Sequence, residues 1–284
     1  MITDIILVST GLIWVIAASI FDIKTREVPD WLSFSLIAIG LGIRGIHSLF
    51  YWDYNYILYG LIGLILFFII GNIMYYTKQW GGGDSKLLMG LGAIFGSYTN
   101  IDLFNPNLNI PFLLILLVNI LIIGAIYGII YGLILGILNW RKVLPLLKKQ
   151  NKLILIISIF VSIIIFIIGL FVDNFGVLFI IFSILILLFS FILFFIAAIE
   201  KVVMIKRISV GNLREGDWLC KDVVKNNKIL CTSKGLGITK EDIKLLKKNK
   251  IREVIIKDGL PFVPSFLIGI IISFIFGNLI SLGL

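Results

Sequence analysis

Charged side chains are scarce in this chain: its 284 residues include 25 Lys or Arg and 16 Asp or Glu, 14% in all. Soluble domains carry about 25%, so a soluble globular fold is excluded. The 60% hydrophobic content points instead to a chain that crosses a membrane several times. Histidine is scarcer still, with His47 alone, which disfavours Ser-His catalysis and histidine-based zinc sites. Cysteine occurs twice, at Cys220 and Cys231, too few for a disulfide framework or a four-cysteine zinc site. No metal and no cofactor is therefore expected. No stretch interleaves basic residues with stacking aromatics, which argues against a nucleic-acid partner. The first apolar run opens at residue 3 with no basic segment before it and no small-residue cleavage site after it. It reads as a retained span, not a signal peptide.

Apolar runs dominate the rest. About 20 residues cover a hydrocarbon core of roughly 30 Å, and such runs fall near 3–21, 31–50, 56–76, 111–139, 153–172, 177–199 and 262–282, with a shorter one at 85–98. Lys and Arg occupy alternate loops: Lys24 and Arg26 in 22–30, Lys78 and Lys86 in 77–86, five in 141–152 and fifteen in 200–261. Loops 51–55, 99–110 and 173–176 hold none. The positive-inside rule turns this alternation into about eight spans in a plasma membrane, both termini outside. Arg44 is the exception, and it reads as a cation snorkelling from its span to the outer surface.

The expected fold class is an α-helical polytopic membrane protein with a small α+β cytosolic domain before its last helix. Residues 1–140 read as a five-span catalytic membrane domain, 141–199 as an additional transmembrane hairpin, 200–261 as a basic cytosolic domain and 262–284 as a C-terminal span. The hairpin, turned by "VDNFG", is uniformly Ile, Leu and Phe and reads as lipid-facing scaffold. In the polar domain, "ISVGNLREGDWLCKDVVKNNKILCTS" reads as two or three strands with a turn at Asn226-Asn227. Thr239 and Asp242 bracket a capping-box helix through Asn249, and "EVIIKDG" reads as a final strand. The domain's basic surface offers contact with membrane lipids or plain solvation.

Four acids, Asp4, Asp53, Asp102 and Asp173, fall at outer ends or loops and read as solvated carboxylates. Asp22, Glu27, Asp30 and Asp84 fall at the inner surface. Asp22 ends the first span and Asp84 begins the fourth, so the alternation puts both at similar depth on one face. Two carboxylates that approach closely can run acid and base chemistry on a peptide bond: one, ionised, takes a proton from water and the other donates to the leaving amine. The plainer reading of Asp22 is an interfacial carboxylate beside Lys24 or Arg26, although an acid at a helix C-terminus opposes the macrodipole. For Asp84 it is an N-cap.

Capping does not account for Gly81, Gly82 and Gly83 ahead of Asp84. They permit φ values that other residues avoid, and irregular backbone at membrane depth is tolerated where it lines a cavity or is buried in protein. An unwound segment carrying Asp84 to a water-reached dip is expected. Residues 85–98 make about 21 Å of helix at 1.5 Å per residue, shorter than the core they would cross. Gly92 and Gly96, and the stripe Gly124, Gly128, Gly132 and Gly136, read as helix-packing positions. Lys86 has three open roles: holding a carboxylate, holding substrate backbone, or snorkelling.

"FDIKTREVPDW", followed about 60 residues later by "GGGDSKLLMGLGAIFG", resembles the two signatures of the GxGD aspartic membrane proteases. It is similar in particular to the type IV prepilin and preflagellin (pre-archaellin) leader peptidases. The matching parts are Asp22 with Arg26, then Val28-Pro29-Asp30, then Gly81-x-Gly83-Asp84 with Lys86-Leu87 and Leu91-Gly92-Ala93. The resemblance implies that Asp22 and Asp84 are the catalytic pair. It implies that Arg26, Pro29, Asp30, Gly81, Gly82, Gly83 and Lys86 shape the site or bind substrate. The implied reaction is removal of a short basic leader from pilin-like or archaellin precursors at the cytosolic face. A polar domain before a final span resembles the archaeal layout, and here it reads as helping to position the leader. Bacterial members carry a CxxC zinc segment and also methylate the product; Cys220 and Cys231 do not match that segment.

Two other classes compete. An ion-coupled transporter would also use intramembrane acids and a broken glycine-rich helix. It predicts acids near the midplane in both halves, and residues 111–199 hold only Asp173. An assembly scaffold with a degenerate site is the third reading, opposed by the intact Asp22 and Asp84.

Overall fold

The computed structural model describes residues 2–96, 111–173, 175–225, 228–233, 235 and 237–277. The expected turns at Asn226-Asn227 and in "VDNFG" at Asn174, the loop with Asp102, and the end of the last span lie outside them. Apolar content and few breakers give α1 (Ile2–Thr25), α2 (Asp30–Tyr51), α3 (Tyr54–Tyr76), α4 (Gly82–Phe95), α5 (Phe112–Leu138), α6 (Trp140–Lys149), α7 (Leu153–Phe171) and α8 (Gly176–Ile199). A π-helical turn, Glu200–Met204, extends α8; the strands β1 (Ile205–Ser209), β2 (Trp218–Leu219), β3 (Val223–Lys225) and β4 (Lys228–Cys231) follow. Then come α9 (Lys240–Lys248), β5 (Glu253–Lys257) and α10 (Val263–Ile275).

Among the described residues six helices are long and apolar enough to cross a membrane: α1, α2, α3, α5, α7 and α8 with its π turn. This is a multi-pass membrane protein. The expected eight spans include two shorter helices, α4 with 14 residues and α10 with 13, which do not reach that length. One helix was not expected at all. The basic loop after α5 folds as α6, because Val143 and Leu147, four residues apart on one face, bury against Ala198 and Ile199.

The chain divides into two compact units. In the second, residues 128–208 with 255–258, α7 and α8 form a hairpin that is mostly exposed along its length. They meet where the Gly176 carbonyl oxygen lies 2.9 Å from where a Cβ on Gly169 would stand. The first unit comprises residues 1–127, 209–254 and 259–284. Its polar segment carries the antiparallel pair β3–β4, with Val224 opposite Ile229 and a register shift beside Val223. The capping box of α9 is as expected: the Asp242 N–H donates to Thr239 Oγ1 at 3.1 Å, and the Thr239 N–H donates to Asp242 Oδ2 at 3.0 Å.

At the centre of this unit stands α4. From Ser85 to Phe95 it is buried on nearly every side, against Leu36, Phe67, Leu7 and Val15. It lies so close to α3 that a Cβ on Gly92 would fall 2.2 Å from the Gly63 carbonyl oxygen, and one on Gly96 would fall 2.2 Å from that of Tyr59. Small residues here set the approach of two backbones, as the spacing predicts. The second stripe behaves otherwise. Gly124 faces the Phe262 ring and Gly136 faces Ile199, but Gly128 and Gly132 border open space.

Arg44 does not snorkel. It is fully buried, and its guanidinium donates to the carbonyl oxygens of Ala93 at 2.8 Å, Ile94 at 2.6 Å and Tyr56 at 3.0 Å. The last carbonyls of a helix have no intrahelical partner and carry negative partial charge, so this buried cation closes the C-terminal end of α4. Gly60 makes room for it: a Cβ there would lie 2.4 Å from Arg44 Cδ. The Tyr56 hydroxyl donates to Asp4 Oδ1 at 2.7 Å, so Asp4 is engaged and not simply solvated. Asp53 caps α3, accepting from the Asn55 N–H at 3.2 Å.

Two substitutions separate packing glycines from idle ones. Gly92→Ala forces α3 and α4 apart and is expected to cost about 1–3 kcal/mol or more, as overpacking does. Gly128→Ala is expected to be neutral or to stabilise by roughly 0.5–1 kcal/mol, the helix penalty of glycine. Thermal unfolding of the purified protein in detergent measures both; equal effects refute the distinction.

Candidate active site

Asp22 lies in the last turn of α1 and is buried. An acid there opposes the negative end of its own helix, and the structure supplies the compensation from elsewhere. The Val263 N–H, first in α10, donates to Asp22 Oδ2 at 2.9 Å across 241 positions of sequence. The carboxylate thus sits on a helix N-terminus, where unpaired N–H groups and the positive dipole end favour an anion.

Asp84 is the third residue of α4, not its N-cap. Its Oδ2 accepts from the Gly81 N–H at 3.2 Å, and Gly81 is the cap residue in extended conformation, φ −69 and ψ 160. Asp22 lies within Coulombic reach of Asp84. Trp80, buried just ahead of the glycines, packs its ring 5.6 Å from that of Phe262 and 5.3 Å from that of Phe266. It joins the entry to α4, which carries Asp84, to the start of α10, which holds Asp22.

The expected unwinding at the glycines is corrected. Gly82 and Gly83 are already helical, and none of Gly81, Gly82 and Gly83 has positive φ. The left-handed residue of this turn is Lys78, at φ 59. What one glycine provides is space. A Cβ on Gly83 would lie 3.1 Å from both Val28 N and Val28 Cβ, whereas one on Gly82 would meet only the Tyr75 ring, at 3.6 Å.

The two sequence signatures therefore touch, and they do so twice. Val28 covers Gly83. Pro29 caps α2, whose first residue, Asp30, accepts a 2.6 Å ion pair from Lys86 Nζ. Of the roles open to Lys86, holding a carboxylate is the one observed, and that carboxylate is Asp30. Arg26, just after α1, is in the left-handed conformation at φ 61, its N–H donating to the Asp22 carbonyl oxygen at 2.8 Å. Its guanidinium donates to the Gly259 carbonyl oxygen at 3.1 Å. Sequence reasoning missed Trp80, Val263 and Arg214. Trp80 had a local signal, an aromatic abutting the glycines; the other two act across long separations that no spacing reports.

Glu27, between α1 and α2, pairs with Arg214 at 3.7 Å. Burial pushes its carboxyl above the ordinary glutamate range, the Arg214 guanidinium pulls it back, and Asp217 adds a further push upward.

Two expectations follow. Gly83→Ala is expected to unfold at a lower temperature than wild type, since the new Cβ crowds Val28 and overpacking destabilises, while Gly82→Ala stays near wild type; similar melting temperatures of the two variants count against the Val28 contact. Glu27 has a raised carboxyl, so its charge costs stability above its own pKa and costs nothing below the unfolded value. Glu27→Gln is then expected to unfold at a higher temperature than wild type at pH 8, the two converging below about pH 4, the ordinary glutamate range. A less stable Glu27→Gln at pH 8 contradicts this sign.

Residues 9–139 match the family model of the type IV leader peptidases. The chain is similar to a preflagellin peptidase of Methanocaldococcus jannaschii, 38% identical over 96 residues, which is 34% of this chain and 40% of that protein. It is also similar to a preflagellin peptidase of Methanococcus voltae, 38% identical over 88 residues, 31% of this chain and 37% of that protein. A prepilin peptidase of Methanothermobacter thermautotrophicus is 31% identical over 108 residues, 38% of this chain and 26% of that protein. The chain thus spans well under half the length of each of these relatives. Both signatures, and the helices α1 to α4 that carry them, fall within the matched region apart from the first residues of α1. Over residues 9–139 the chain is similar to the type IV leader peptidase family.

Proposed function

We propose that this protein is a membrane-embedded aspartic endopeptidase that removes the short basic leader of pilin-like or archaellin precursors, with Asp22 and Asp84 as its catalytic pair. The observation that carries the reading is that these two carboxylates, 62 positions apart in sequence, lie within Coulombic reach of each other, inside the family match. In the reaction one carboxylate, ionised, takes a proton from a water molecule as the water oxygen attacks the scissile carbonyl carbon. The other, in its acid form, gives its proton to the amine as the C–N bond breaks. The chemistry needs no covalent enzyme intermediate.

Counting α4 and α10 as membrane-embedded beside the six long helices restores the alternation of basic loops, with both termini outside and the carboxylate pair at the cytosolic face. The precursor's apolar segment would then lie in the bilayer and its leader in the cytosol, beside residues 200–261. The names of the relatives favour such precursors as substrates.

Expressed in membranes with a pilin-like precursor, wild type is expected to cleave. Asp22→Asn and Asp84→Asn are each expected to lose cleavage by at least about 10³-fold, the scale of removing an acid–base partner, at normal protein levels. Full cleavage by either single variant overturns the pairing.

A further inference from the structure

The polar segment between α8 and α10 both enters and leaves its stretch of unit 1 at the end of α1. Near its start, Arg214 Nη1 donates to the Thr25 carbonyl oxygen at 2.5 Å and lies 3.7 Å from Glu27. Thr25 is the last residue of α1, and its carbonyl is one of the orphan acceptors of a helix end. Arg214 itself is set by a turn in which its own N–H donates to Asp217 Oδ2 at 2.8 Å. Near its finish, Gly259 accepts from Arg26 and Val263 donates to Asp22. Three fastenings, two made by this segment and one by the first residue of α10, thus fall on residues 22 to 27.

These contacts share a polarity. The C-terminal end of α1 is negative, and Asp22 adds a carboxylate to it. The segment answers with a guanidinium on Thr25, and the α10 that follows it answers with a helix N-terminus on Asp22. The Arg26–Gly259 bond closes the loop from the other side: it fixes the backbone three residues before Phe262, whose ring packs at a tilt against Trp80. A shift of the segment therefore moves the α1 end and the start of α10 relative to Asp84.

We infer that the polar segment is a positioning element of the active site, and that Arg214 is the side chain through which it holds the Asp22-bearing end of α1. This rests on the proposed aspartate pair. Arg214 is half-exposed and touches no reacting group; it acts by fixing where Asp22 stands. Turnover depends on that position and precursor capture does not. Loss of Arg214 consequently appears in kcat and leaves KM in place. Lysine, which keeps the charge and a donor but not the planar fork, supplies part of the function.

The test uses the full chain in membranes and a precursor peptide with a short basic leader ahead of an apolar segment. Arg214→Ala is expected to lower kcat by about tenfold with KM within about twofold of wild type, and Arg214→Lys to recover a measurable part. Lys225→Met, which removes a lysine bonded to the Asn249 carbonyl oxygen within the same segment, is expected to keep wild-type kcat. A wild-type kcat in Arg214→Ala overturns the inference. So does a loss shared equally by all three variants, because it marks general weakening of the segment. Asp22→Asn, run alongside, keeps the two ideas apart: if it cleaves, the aspartate pair itself fails, whatever Arg214 does.

Discussion

Arg44 closes the far end of the helix on which the site depends. At 14 residues α4 is about 21 Å long, too short to end in water on both sides of a core of roughly 30 Å. Its last carbonyls therefore need an acceptor's partner inside the protein, and a buried guanidinium provides donors to two of them at once. A buried cation without such partners is costly; here the helix end and the cation satisfy each other. The other end is fastened by Val28 on Gly83 and by Asp30 on Lys86. Between the two fastenings, close approach of α3 through Gly63 and Gly92 leaves α4 little room to slide. The position of Asp84 follows from those constraints.

At the site itself, helix polarity decides which groups can be neighbours. α1 points its negative end at the place where Asp22 stands, and α4 and α10 point their positive ends there. A carboxylate on the last turn of a helix is unfavourable by itself, but placed on another helix's first N–H groups it gains a charge-assisted hydrogen bond, about 1.5–3 kcal/mol, and the favourable dipole end. Asp84 obtains the same kind of contact locally, three residues from its own cap. Two acids are thereby held at the ends of three helices.

Much of this arrangement was legible in the sequence. The apolar runs gave the helices to within a few residues, and the basic-loop alternation placed Asp22 and Asp84 at one end before any contact was known. The resemblance picks out Val28-Pro29-Asp30 and Lys86, and of these Val28 meets Gly83 and Asp30 meets Lys86 across the two signatures. The glycines were identified for the wrong reason, since their φ angles are ordinary and Gly83 is needed for its missing side chain. Arg44 was misread because hydropathy registers a charge in a span but not the carbonyls that await it. The α6 helix was hidden because its buried face is only a few residues of a basic loop.

The two halves of the site also differ in where their support comes from. Asp84 is held by α2, α3 and the α1–α2 loop, all within residues 9–139 that match the peptidase family. Asp22 is held by Val263, and its helix end by Arg214 and Gly259, none of which lies in that range. The family match therefore contains both acids and most of the contacts that hold Asp84, but not those that hold Asp22. A membrane block ending near residue 140 would keep the Val28, Asp30 and Gly63 contacts of α4, lose the packing of Trp80 on Phe262 and Phe266, and leave Asp22 buried at the negative end of α1 without its N–H donor. That imbalance makes the polar segment and α10 part of the candidate site in a physical sense, although the region similar to the peptidase family stops well before them.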